Sequence, residues 1–159
     1  SIQYVFGFDD SKATVAYVKM TQRETKVIGD LKVSTIEAND SGVGFLIEVD
    51  GIVVFHVGDH ANRTRDLSGN YCPEIDYIAG MNKKIDLLFL PVSGCGFGDL
   101  DAVKKGDFYA IQKLQPRMFI PMHGDNNSFE SFIDSLKNDN KKIRTFLPKM
   151  NGDRLLYSR

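Results

Sequence analysis

Two β-rich apolar runs, VGFLIEV (Val43 to Val49) and IVVFHVG (Ile52 to Gly58), are separated by Asp50-Gly51 alone. A two-residue connection between strands needs positive φ at both central positions. Asp-Gly supplies it readily, so this stretch is predicted to be a type I′ hairpin. Beyond it the pattern changes. A polar stretch leads to a helical segment, Pro73 to Met81, and then to KIDLLFLPV, whose apolar run leaves no polar face. A strand of that kind is buried on both sides. The alternation then repeats. Leu100, Val103, Phe108, Ile111 and Leu114 mark one face of a helix despite Gly106, and RMFIPM is a second buried strand. The chain is predicted to be α/β, with hairpins first and β-α-β-α-β-β after them.

The flanking segments fit that order. Ile2 to Phe8, ATVAYVKM and LKVSTIEA read as strands ahead of the hairpin. A helix is predicted from Ser128 through Leu136, and KIRTFL and DRLLYS as two strands around an Asn151-Gly152 turn. No repeat, low-complexity tract or linker interrupts the chain, so residues 1–159 are expected to form a single domain. The formal net charge of -1 gives no basic surplus, which argues against nucleic acid or an anionic membrane as partner. No apolar run approaches the ~18 residues of a membrane-spanning helix, and no signal peptide is visible. Cys72 and Cys95 do not form a C-x-x-C pair, so a reduced, cytoplasmic protein is expected.

Chemistry is concentrated where buried strands end. FHVGDHAN (Phe55 to Asn62) and PMHGD (Pro121 to Asp125) each place polar side chains directly after an apolar run. Loops beyond strand C-termini are where α/β proteins gather ligands. A carboxylate at Asp59 and an imidazole at His123 are both good zinc ligands, although a zinc site needs three or four. The competing reading is structural: Asp59 as a turn residue bonding nearby amides, His123 as a loop histidine. His56 and His60 are four apart, but a strand end and a glycine lie between them, so a helical ligand pair is excluded. His56 reads as a strand residue and His60 as an additional candidate ligand. Gly94-x-Gly96-x-Gly98 misplaces the third glycine of a dinucleotide loop, and Ser93 lacks a G-x-S-x-G elbow.

At these residues the sequence resembles the metallo-β-lactamase superfamily of metal-dependent hydrolases, near the branch that includes ascorbate-6-phosphate lactonase-like proteins. SGVGFLIEVDGIVVFHVGDH resembles the family's hairpin leading into its Gly-Asp metal loop. KIDLLFLPVSG resembles the following strand and loop, and DAVKKGDFYAIQKLQPRMFIPMHGD the helix and strand that end on the last histidine ligand. The resemblance spans roughly Lys32 to Asp125.

It implies an αββα sandwich, incomplete on its N-terminal side, with zinc or another divalent metal as cofactor. Asp59 matches the aspartate that bridges two metals, and His123 the histidine that completes the second site. The family's leading H-x-H-x-D-H segment is absent from these residues and is expected upstream of Ser1. Its middle histidine falls where this chain has Asn39 or Asp40, of which Asp40 could coordinate a metal. The resemblance therefore implies a metal-dependent hydrolase acting on a small-molecule substrate, inactive or incomplete as this chain and with no metal firmly bound. The alternative is a non-catalytic scaffold that kept the fold and lost the metal centre. A nucleotide-binding α/β domain would rest only on the glycine loop. An incomplete sandwich exposes apolar surface and strand edges, so a homo-oligomer is expected.

Overall fold

A computed structural model describes residues 4–7, 14–40, 42–93, 96–139 and 143–158. Two short strands, β1 (Tyr4–Phe6) and β2 (Tyr17–Lys19), pair in parallel. The remaining strands form one seven-stranded sheet in sequence order: β3 (Thr25–Ile28), β4 (Leu31–Glu37), β5 (Val43–Val49), β6 (Ile52–His56), β7 (Leu87–Pro91), β8 (Met118–Met122) and β9 (Arg144–Thr145). Strands β3 to β6 are antiparallel to their neighbours, whereas β6 to β9 run parallel. Parallel neighbours need crossovers, and helices α1 (Tyr71–Gly80), α2 (Leu100–Leu114) and α3 (Asn126–Asp139) supply them.

The hairpin forms as its sequence requires. Asp50 and Gly51 have φ of 51° and 74°, the pair of positive values that lets β5 turn directly into β6. Strand periodicity then divides the sheet into two faces. Leu46, Val53, Phe55, Leu88 and Leu90 are buried beneath the helices, against Ile75, Ile78, Ile111, Phe132 and Leu136. Each fully buried side chain of this size contributes about 1.5–3 kcal/mol relative to exposure. On the opposite face a smaller cluster of Met20, Ile28 and Val33 joins Val5, Val18, Phe45 and Ile47, so the two-stranded sheet packs over part of the large one. The described residues thus supply three layers: helices, large sheet and small sheet.

Three expectations need correction. DRLLYS is not a strand, and KIRTFL contributes only Arg144–Thr145. Tyr157 instead donates a 2.8 Å hydrogen bond to the buried Asp86, fastening the terminal segment across the start of β7. β3 was not predicted: in TKVI the outward Val27 is 74% exposed, and no apolar run announces such an edge strand. Of the predicted Ile2 to Phe8 strand, residues 2, 3 and 8 lie outside the described residues, as does Cys95. Cys72 is a free thiol. Among the described residues no helix is long and apolar enough to cross a membrane.

Candidate metal centre

The parallel register brings the ends of β6, β7 and β8 to one edge of the sheet. Asp59 follows β6 in the Val57 to His60 turn, where Gly58 takes φ of 65° and the His60 N–H bonds the Val57 carbonyl at 3.3 Å. His123 is the first residue after β8. Although far apart in sequence, the two meet: His123 Nε2 lies 2.8 Å from Asp59 Oδ1. Their side chains are 35% and 39% exposed, so the pair opens to solvent.

His123 itself has φ of 50°, a left-handed conformation unusual outside glycine. Its backbone is held from β7. The Ser93 N–H donates to the His123 carbonyl at 2.9 Å, and the Ser93 hydroxyl lies 3.1 Å from the same oxygen and 3.1 Å from Ser128 Oγ. Gly124 is there for space. A Cβ at that position would come within 2.6 Å of Phe129 and Ser128 and 2.7 Å of Ser93 Oγ. The glycine after the histidine therefore lets α3 close against the strand end, while the histidine takes the unusual backbone angle.

Asn39 and His60 bond to each other behind the Asp59 turn. The Asn39 backbone N–H donates to His60 Nδ1 at 3.0 Å. Its side-chain amide donates to the Ala61 carbonyl and accepts from the Ala61 N–H at 3.2 Å. Asn39 thus clamps the turn that carries Asp59 from behind. His60 is fully buried and stacked on Tyr71, with ring centroids 4.8 Å apart. Burial pushes its pKa down to about 4. One nitrogen of His60 is thus bonded to backbone and its ring is packed in the core, while its Nε2 is buried without a hydrogen-bond partner among the described residues. Asp40 accepts from the Gly42 N–H at 3.1 Å in a local turn. His56 points to the face opposite the helices and stacks on Phe89; burial, then the charge of His123, lowers its pKa. Among the described residues, no three His, Cys, Asp or Glu side chains gather closely enough to hold a metal ion. Asp59 and His123 are a pair of ligand-type side chains in contact, without a third beside them among the described residues.

Beneath the Asp59 loop lies a buried polar layer. Asn62 donates at 2.7 Å to both the Thr64 and Ala102 carbonyls, tying the loop to the start of α2. Gly106 makes that contact feasible, because a Cβ there would fall 2.3 Å from Asn62 Cβ. Asp107 is fully buried near the Tyr71 hydroxyl, and burial holds its carboxyl well above the usual range. Glu74 of α1, also buried, accepts from Arg23 at 2.7 Å and from the Glu37 N–H at 3.1 Å, which locks α1 onto β4. The supporting roles of Ser93 and Asn39 carry no motif. Both act through backbone contacts that only the folded register creates.

A profile of the Beta-lactamase superfamily domain matches residues 3–123. The chain is similar to the UPF0173 metal-dependent hydrolase of Heliobacterium modesticaldum, with 38% identity over 82 residues, which is 50% of this chain and 29% of that protein. The chain thus spans less than a third of the length of that relative. In fold it is similar to a Thermotoga maritima protein of the metallo-β-lactamase superfamily, proposed to be a Zn-dependent hydrolase. There the TM-score is 0.55 at 18% identity, covering 88% of this chain and 69% of that one. It is similar also to CmlA, a diiron β-hydroxylase of Streptomyces venezuelae, with TM-score 0.58 at 14% identity, covering 82% of this chain and 33% of that one.

Proposed function

This chain belongs to the Beta-lactamase superfamily domain family, and on that premise we propose that it forms one domain of a metal-dependent hydrolase, with Asp59 and His123 as metal ligands. One observation carries the reading: the 2.8 Å approach of His123 Nε2 to Asp59 Oδ1 at a solvent-facing sheet edge. A carboxylate oxygen and an imidazole nitrogen are the donor types that zinc and iron accept. Two donors leave an ion mostly hydrated, and further ligands would be supplied by a segment of the H-x-H-x-D-H type that the family resemblance implies. A divalent metal in such a site supplies Lewis-acid catalysis of hydrolysis near neutral pH. The chain's own residues orient that site. Asn39 fixes the Asp59 turn, Ser93 fixes the His123 backbone, and the pair itself is partly exposed.

The test uses the natural protein that contains these residues, assayed with Zn²⁺, Mn²⁺ or Fe²⁺ on phosphodiester, ester and lactone substrates. Asp59→Asn and His123→Ala are each expected to lower hydrolysis and metal retention by more than about 100-fold. The second reading, a non-catalytic scaffold, is favoured by the lack of a third ligating side chain among the described residues. Hydrolysis or metal retention untouched by both substitutions would remove Asp59 and His123 from the chemistry. A protein that neither retains metal nor hydrolyses any substrate would favour the scaffold.

A further inference from the structure

The loop that carries Asp59 continues into Arg63, and Phe97 lies shortly before α2. These two side chains meet, with the Arg63 guanidinium carbon over the Phe97 ring at 5.4 Å from its centroid. They flank a cavity of about 250 Å³ whose other walls are Asn62, Gly98, Asp99 and Val103. We propose that this cavity is a substrate subsite for an anionic group, a carboxylate or a phosphate, received by Arg63. The inference rests on the hydrolase reading above and names the class of substrate it would favour.

Charge decides the sign of the ligand. Arg65, two residues further on, is engaged: its guanidinium bonds Asp99 at 2.6 Å and Asp101 at 3.1 Å. The same contact, together with the Ala102 and Asp101 amides, holds Asp99 below the usual carboxylate range, so the one acidic wall of the cavity is already paired. Arg63 has no carboxylate partner among the described residues. Stacking on an aromatic face leaves the in-plane N–H edge of a guanidinium free, and that edge matches two oxygens of a carboxylate or phosphate. Its backbone is anchored as well, because the adjacent Asn62 is bonded to the Ala102 and Thr64 carbonyls. Asn62 itself is fully buried behind the cavity, so it braces the Arg63 backbone and leaves the ligand to Arg63. Phe97 and Val103 supply apolar walls.

The experiment titrates the isotope-labelled chain, without metal, with sodium phosphate or sodium acetate at constant ionic strength, following side-chain and amide NMR signals. Saturable shifts centred on Arg63, Phe97 and Gly98 are expected, and Arg63→Gln should weaken binding about tenfold or more. Arg63→Lys should retain part of it. Preference for phosphate over acetate, or the reverse, identifies the group received. Shifts that track ionic strength alone, or that persist in Arg63→Gln, would overturn the subsite. Because no metal is present, either result leaves the assignment of Asp59 and His123 to be judged separately.

Discussion

At His123 one residue combines a ligand-type side chain with a left-handed backbone. A non-glycine residue in that region carries strain on the order of 1 kcal/mol or more, sustained only when its surroundings determine it. Here the determinant is Ser93, whose amide and hydroxyl both address the His123 carbonyl. Ser93→Ala keeps the amide bond and loses the hydroxyl, so a destabilisation of about 1 kcal/mol in urea unfolding is expected. The same variant should broaden or shift the His123 ring signals in NMR spectra. His60 gives a pH prediction. Its folded pKa of about 4 lies below the ordinary 6.5, so the unfolded chain takes up a proton first as pH falls. Stability attributable to His60 is therefore complete above pH 6.5 and declines as pH drops toward 4, by up to about 3 kcal/mol. Asp107, with its pKa raised, contributes in the opposite direction over the acid range. The difference between the parent chain and His60→Phe isolates the histidine: unfolding measured from pH 7.5 to 4.5 should show a shallower acid decline in the variant. Parallel curves would contradict the assignment.

Elements differ in how much of themselves the sequence discloses. The β5–β6 hairpin is legible because Asp50-Gly51 meets a backbone requirement that few dipeptides meet. β7 and β8 are legible because strands covered on both faces show no polar side. DRLLYS looked like a strand on composition, yet Leu156 is 95% exposed and the segment is held by a Tyr157 contact rather than by a ladder. The candidate site divides in the same way. Asp59 and His123 stand at strand ends and in motifs of a known family, whereas Ser93 and Asn39 serve through contacts with residues distant in sequence. Gly106 is the instructive intermediate. Within α2 it weakens helix propensity, and the sequence offers no reason for it. The structure does, since the Asp59 loop presses Asn62 onto that position. Propensity alone predicts that Gly106→Ala stabilises by about 0.5–1 kcal/mol. Close packing predicts the reverse, a loss of about 1–3 kcal/mol. A Cβ 2.3 Å from Asn62 Cβ makes packing the larger effect, so thermal or urea unfolding should show Gly106→Ala to be less stable than the parent.

For the whole molecule the two faces of the large sheet are unequal. The helices bury one. On the other, the small sheet reaches Phe45 and Ile47, while Ile52 and Val54 of β6 and Leu87 and Phe89 of β7 remain half-exposed. A contiguous apolar face of this kind favours association. The isolated chain is accordingly expected to form a dimer or larger oligomer through it, with light scattering showing a mass that rises with concentration. Val54→Lys or Leu87→Lys should return the chain to monomer, and a monodisperse monomer at every concentration would refute the association. The proposed role of Asp59 and His123 as metal ligands is tested most directly by titrating the isolated chain with Zn²⁺ while observing the His123 imidazole nitrogens by NMR. A weak, saturable shift at His123 Nε2, lost in Asp59→Asn, is expected, with well under one equivalent of zinc after dialysis. A His123 ring indifferent to Zn²⁺, or a full equivalent of zinc held tightly through dialysis, would contradict it.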